Sequence, residues 1–182
     1  MDISAAQKDM RQGYIFGAPG ALVSGLIWII AGIIAWFHSF EISILALFFG
    51  GMVIFPVSAI LSKRINPSYA LHKSNPFTRL ALEGTILLFV GLLIAFTLSK
   101  SHPHLFYPIM LLIIGARYLT FQTLYGLKIY WVLGGVLLAV GCGYILWFSP
   151  QPYIAALFGG GSEILFSVYL FKAYKTAIKK IQ

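Results

Sequence analysis

Charge is scarce in this chain. Only 10% of its 182 residues are Asp, Glu, Lys or Arg, and only five are acidic, where a water-soluble domain carries about 25% charged residues. That excludes an ordinary soluble fold, which would also alternate polar and apolar faces. Cysteine is nearly absent as well. The single Cys142 lies inside an apolar run, so it forms no intramolecular disulfide and completes no cysteine-based metal site. Missing too are a nucleophile elbow, a phosphate-binding glycine loop, a zinc-protease helix and paired intramembrane aspartates. No enzyme is expected, and no cofactor.

What the chain has instead is apolar residues, 59% of the total, with a mean hydropathy of +0.88. A helix crossing about 30 Å of hydrocarbon needs about twenty mostly apolar residues, because only a helix satisfies its own backbone there. Six stretches qualify, near residues 17–37, 43–61, 80–98, 107–125, 130–148 and 153–171. The expected fold is all-α: a single polytopic transmembrane domain of six helices, with the lipid bilayer as its main partner. Asn75 and Pro76 read as N-cap and first residue of the third span, Pro108 plays that part for the fourth, and Pro150 with Pro152 separates the fifth from the sixth.

The formal charge of +8 does not indicate nucleic acid, because the basic residues sit at span ends and not in a patch with interleaved aromatics. They set direction. Lys8, Arg11, Lys63, Arg64, Lys73, Arg79, Lys128, Lys172, Lys175, Lys179 and Lys180 collect on one side, against Lys100 alone on the other. Positive residues mark the cytoplasmic side, which places both termini inside. Trp36, Trp147 and Tyr107 then fall at the outer interface, and Tyr130 with Trp131 at the inner one. The first sixteen residues are too polar and acidic for a transit peptide, so no cleaved leader is expected. Ile3, Ala6, Met10 and Tyr14 recur at helical spacing, which describes either a short amphipathic helix in the inner headgroup layer or a frayed tail.

Cut into three hairpins, the chain shows a recurrence. Each first helix has two glycines seven apart, Gly25 and Gly32, Gly84 and Gly91, Gly134 and Gly141. Each second helix has a small pair, Gly50 and Gly51, Gly115 and Ala116, Gly160 and Gly161. Three parallel hairpin repeats, as in several transporter folds, would produce this; so would chance in a glycine-rich membrane chain. Two further small-residue stripes, Gly135 with Ala139 and Gly143, and Ala31 with Ala35, suit close helix packing within one chain or in a homodimer.

Intramembrane charge is expensive. Glu83 sits at the inner interface within reach of water or of Arg79 one turn away. Arg117 and Glu163 lie near mid-span at matching depth, and an ion pair between them is expected. Tyr118, Thr120, Gln122, Thr123 and Tyr125 make the inner half of the fourth helix too polar for lipid, so that helix should be central. Gly50, Gly51 and Pro56 in the second span, and Gly159 to Gly161 in the sixth, are candidate backbone interruptions, with Pro56 freeing the Met52 carbonyl. Interrupted helices in corresponding positions point to midplane ligand sites. The candidate ligand-binding residues are therefore Arg117, Glu163, Tyr118, Gln122, Gly160, Gly161 and Pro56. The competing explanation is a structural Arg117–Glu163 lock, with function carried by the basic loop from Lys63 to Arg79 and the C-terminal lysines, which could engage anionic lipid. The outer His38, Glu41, His102 and His104 and the inner His72 read as solvated residues, with no metal site expected.

The segments Ala6-Gln7-Lys8-Asp9-Met10-Arg11, Gly17-Ala18-Pro19-Gly20, Leu22-Val23-Ser24-Gly25, Phe49-Gly50-Gly51-Met52 and Ile54-Phe55-Pro56 resemble, in their order, a family of small bacterial membrane proteins of unknown function. Leu82-Glu83-Gly84, the run from Gly115 to Phe121, and Thr123-Leu124-Tyr125-Gly126 extend the resemblance over most of the chain. It implies a bacterial cell membrane and brings no activity, substrate or site residues.

Overall fold

The computed structural model describes residues 1–147 and 151–179. Its helices are α1 (Ile3–Gly13), α2 (Ala18–Phe37), α3 (Phe40–Ile65), α4 (Phe77–Ser99), α5 (Phe106–Tyr125), α6 (Ile129–Leu146) and α7 (Pro152–Lys179), with short 3₁₀ turns before α2 and α5. Six helical segments, each containing one of α2 to α7, are long and apolar enough to cross a membrane. The expected spans lie within or overlap these helices, with two differences of length. Helix α3 is longer than its apolar window at both ends, and α7 runs beyond Phe171 through Lys172 and Lys175 to Lys179. The expected end of the fifth span at Phe148, the turn residue Pro150 and the basic Lys180 lie outside the described residues.

Turn chemistry explains the helix starts. Ser39 Oγ accepts from the Ile42 amide at 3.1 Å, capping α3, and Asn75 Oδ1 accepts from the Phe77 amide at 2.9 Å, although α4 begins one residue later than expected, at Phe77 with Pro76 in the cap position. Pro108 falls in the first turn of α5, two residues after its start. Pro56 does not break α3, which is one helix from Phe40 to Ile65, and Gly159 to Gly161 lie inside an uninterrupted α7. The expected backbone interruptions are therefore not there. Neighbouring turns carry the helix past a single missing N–H, and glycine in hydrocarbon still makes its helical hydrogen bonds.

The glycines serve packing. A Cβ on Gly25 would lie 2.8 Å from the Gly160 carbonyl oxygen, and one on Gly160 would lie 2.6 Å from the Gly25 carbonyl oxygen. Gly115 and Gly134 face each other in the same way, at 3.0 and 2.7 Å. So α2 crosses α7, and α5 crosses α6, backbone against backbone, the closeness that small residues allow where lipid competes for apolar contact. These contacts join helices from different hairpins, as do those of Gly32 with α7 and Gly141 with α5, whereas Gly50 and Gly91 pack within their own hairpins against Ile27 and Ile113. Helices α2, α5 and α7 occupy the centre, α3 flanks α2, and α4 and α6 flank α5. The windows of α3 and α4 are only 17% and 11% buried, against 39% for α2, α5 and α7.

Two aromatic residues expected at the interfaces stand at helix starts, Tyr107 second in α5 and Tyr130 second in α6, but both turn inward against the protein. Tyr107 is fully buried beside Ser43, whose hydroxyl donates to the Ala31 carbonyl at 2.8 Å. Tyr130 is fully buried and donates to the Phe16 carbonyl at 2.6 Å. Each has found a polar partner for its hydroxyl within the protein, so neither depends on headgroups for one. Trp36, Trp131 and Trp147 do remain exposed.

These seams give the first expected outcome. Gly25→Leu or Gly134→Leu should lower the melting temperature in detergent, with an overpacking cost of about 1–3 kcal/mol or more because backbone, not a mobile side chain, is in the way. Gly135→Leu, on the open face of α6 where nothing lies within 4 Å of a new Cβ, should leave it nearly unchanged.

Candidate functional site

Helix α7 carries Glu163 eleven residues after its first residue, and α5 carries Arg117 at the same offset. The depth match is as expected; the ion pair is not formed. Successive residues of a helix point about 100° apart, so Arg117 and Tyr118 cannot both face α7. Tyr118 does, and its hydroxyl donates to Glu163 Oε1 at 2.8 Å. Arg117 turns to α4, where Nη2 donates to Thr85 Oγ1 at 3.0 Å and the guanidinium lies over the Phe121 ring, 5.6 Å from its centroid. Among the described residues the one ion pair within 4.0 Å is His72 with Asp9.

Glu163 is 1% exposed. Its Oε2 has no hydrogen-bond partner, and Ser24 of α2 approaches the same carboxyl. The glycine crossing explains this placement: Ser24 precedes Gly25 and Glu163 follows Gly160 by three residues, so the seam that brings two backbones together also delivers a hydroxyl to the acid. A buried carboxyl oxygen left without a partner is unusual, since most buried polar atoms are paired.

Of the expected site residues, the structure gathers Glu163, Tyr118 and Gly160. Gln122 is half-buried one turn from Tyr118 on α5. Gly161 faces open space, and Pro56 is exposed on α3, away from the seam. Ser24 and Thr85 were not legible as site residues, although each stands beside a glycine of the recurring pairs. Tyr118 continues into a buried aromatic stack: its ring lies 6.0 Å from that of Tyr130, which lies 5.4 Å from that of Tyr125. The stack ends beneath the junction of α1 and α2, where Ile15, Phe16 and Gly17 all have positive φ, at 53°, 58° and 82°. For the β-branched Ile15 that is a strained conformation, and the hydrogen bond from Tyr130 to Phe16 holds the adjoining turn.

The basic face holds a second polar centre. Helix α1 is formed and docked, capped by Asp2, whose side chain accepts from the Ala5 amide at 2.6 Å. Ala6, Asp9 and Met10 are buried against the bundle, while Ile3, expected on the same apolar face, is 71% exposed. Gln7 donates to the Thr123 carbonyl at 2.9 Å and Arg11 to the Tyr125 carbonyl, so α1 caps the C-terminal end of α5 with donors and a positive charge. Asp9, 4% exposed, accepts from Asn75 Nδ2 at 2.7 Å and from Tyr69, and contacts His72 Nδ1 at 3.1 Å. These bonds strap α1 to the α3–α4 loop. Burial alone would raise the Asp9 carboxyl; the hydrogen bonds from Asn75, Tyr69 and His72 outweigh it and hold the pKa below its ordinary value. Burial, and then the Asp9 charge, push the Tyr69 hydroxyl up to about 12, so it stays a donor at any physiological pH.

At the end opposite the basic face the His102 and His104 rings are 6.0 Å apart, and no group of three His, Cys, Asp or Glu residues assembles among the described residues. Near Lys63, Asn66 and Tyr69 the basic face has a groove of about 440 Å³.

Asp9→Asn is expected to loosen α1 and raise hydrogen exchange across residues 3–13 without altering exchange in the six spans. The pH dependence follows from the lowered carboxyl. Its contribution to docking is fully present above the ordinary carboxylate value of about 4 and is lost as pH falls through the lower folded value. Protection of α1 in the wild-type chain should therefore be flat from pH 5 to 8 and collapse only under stronger acid.

No curated protein and no solved structure matches the chain. A family model covers residues 3–173, nearly the whole length, in agreement with the resemblance seen in the sequence. Six membrane-length helices closed by glycine seams around a buried acid are thus the architecture of a member of the Family of unknown function (DUF7010), to which this chain belongs.

Proposed function

We propose that this integral membrane protein takes up and releases a proton or a small cation at Glu163, as a small transporter or ion-coupled binding protein. Its basic side would face the cytoplasm of a bacterial cell, with both termini inside. The observation that carries the reading is the Glu163 carboxyl, buried at mid-span with Oε2 unpartnered. A negative charge there is expensive and has no cation within 4.0 Å among the described residues; a proton or a small cation supplies the compensation. Three helices converge on the group, with Tyr118 and Ser24 as its polar neighbours. Intramembrane acids of this kind characteristically mark ion and proton paths. Enzymatic chemistry forms no part of the reading.

A structural role is the rival, favoured by the hydrogen bond through which Tyr118 ties α5 to α7. Melting of the purified protein across Na⁺, K⁺ and Li⁺ series, together with proton flux in liposomes carrying a pH-sensitive dye, separates the two. Ion binding to the folded state raises the melting temperature by mass action. On the proposed function, the wild type shows a cation-dependent shift or a flux that Glu163→Gln abolishes and Tyr118→Phe only weakens. Equal melting losses in both variants, with neither ion response nor flux in the wild type, would leave only the helix tie.

A further inference from the structure

Arg117 is the other intramembrane charge, and with Glu163 turned away it has no carboxylate within 4.0 Å among the described residues. Its guanidinium offers five donors. One reaches Thr85 Oγ1 at 3.0 Å, and that hydroxyl spends its own hydrogen on the Ala81 carbonyl at 3.0 Å. The Phe121 ring covers one side of the group. Arg117 is nevertheless only partly buried, and Ala116 and Thr120 beside it and Leu82 and Ile86 across on α4 are exposed. Gly84, next to Thr85, has nothing within 4 Å of a would-be Cβ, so the surface of α4 there is open and carries no side chain of its own.

Depth fixes what can reach the guanidinium. Thr85 is eight residues into α4 and Arg117 eight before the end of α5, so both lie about 12 Å inside the basic ends of their helices. The exposed flanks on α4, Leu82 and Ile86, are apolar, while Thr120 beside Arg117 and Glu83, nearer the basic face, are exposed polar groups. An unpaired guanidinium in hydrocarbon requires an acceptor, and arginine recognises carboxylate and phosphate through paired N–H donors. Arg79, one and a half turns nearer the basic face on the same helix, extends the positive charge from the headgroup layer toward Arg117.

We infer that Arg117, Thr85 and Gly84 form a binding site for the oxyanion headgroup of an anionic amphiphile that enters laterally from the leaflet on the basic side. Arg117 pairs with the oxyanion, Thr85 fixes the guanidinium, and the open surface at Gly84 admits the headgroup while its chains remain in the bilayer beside Leu82 and Ile86. The site lies on the α4–α5 face, apart from Glu163, and does not rest on the ion-binding reading.

Native mass spectrometry of the full chain in detergent, titrated with phosphatidylglycerol, tests it. The wild type should show one tight adduct, which Arg117→Gln and Gly84→Leu each weaken by about tenfold or more, as expected for loss of a charge-assisted contact or of the space for it. The pair Lys172→Gln with Lys175→Gln, and Glu163→Gln, should leave that adduct unchanged. Gly84→Leu keeps the proposal testable if Arg117→Gln fails to fold, because it leaves every charge in place. An adduct lost with the two lysines, or indifferent to both Arg117 and Gly84, overturns the site. Competition by inorganic phosphate at comparable affinity overturns the bilayer source and makes the ligand an aqueous oxyanion.

Discussion

Two helix backbones touch at Gly25 and Gly160, and the remaining features of the centre depend on that contact. With a side chain at either position, α2 and α7 would move apart, Ser24 would withdraw from Glu163, and Ser167, whose hydroxyl donates to the Ala18 carbonyl at 3.0 Å, would lose its acceptor. The same seam seats Trp28 against Gly159. Because lipid offers apolar contact as good as any side chain, membrane helices gain from closeness and from paired polar groups rather than from hydrophobic burial. The α5–α6 seam repeats the device at Gly115 and Gly134, which leaves α5 with one face on α6, one toward α7 and one on α4. Its three neighbours account for its mixed composition.

How much of this was readable from sequence depended on the question. Span existence and the crowding of basic residues on one side were legible because they rest on composition over some twenty residues, a strong signal. The centrality of α5 was legible from its polar inner half. The Arg117–Glu163 pair was misread because depth is visible in a sequence while azimuth is not: adjacent residues diverge by about 100°, and only the packing of α7 and α4 decides that Tyr118 meets the acid and Arg117 meets Thr85. Tyr107 and Tyr130 do stand at helix ends, but their partners, Ser43 and the Phe16 carbonyl, lie within the protein, and which way a ring turns is not visible in a sequence. The glycines were noticed as pairs along single helices without their partners, since recurrence along the chain shows which helices are alike and not which ones touch.

The basic face follows a different logic. Its polar groups can reach water, so the Asp9 cluster is not forced into existence by hydrocarbon; it specifies where α1 sits. Asn75 does two things at once, starting α4 with its Oδ1 and holding Asp9 with its Nδ2, so the start of a spanning helix and the position of the N-terminal helix share one side chain. On the far side of α1, Gln7 and Arg11 occupy carbonyls left free at the end of α5. The N-terminal helix thereby ties the α3–α4 loop to the end of α5, more than a hundred residues from itself in sequence, and it does so directly below the tyrosine stack that leads up to Glu163.

Helix α7 is a single rod from Pro152 to Lys179. Its pivot against α2 is Gly160, and about nineteen residues, some 28 Å at 1.5 Å per residue, separate that contact from the last described lysine. A rod of that length is a lever. Tilting it by 5° about the glycine contact displaces its basic tip by about 2.5 Å while shifting Glu163, three residues from the fulcrum, by well under half an ångström. Motions too small to register at the buried acid would be plain at the lysines, so the surface end of α7 is where a change of state at the centre would be seen by anything outside the membrane.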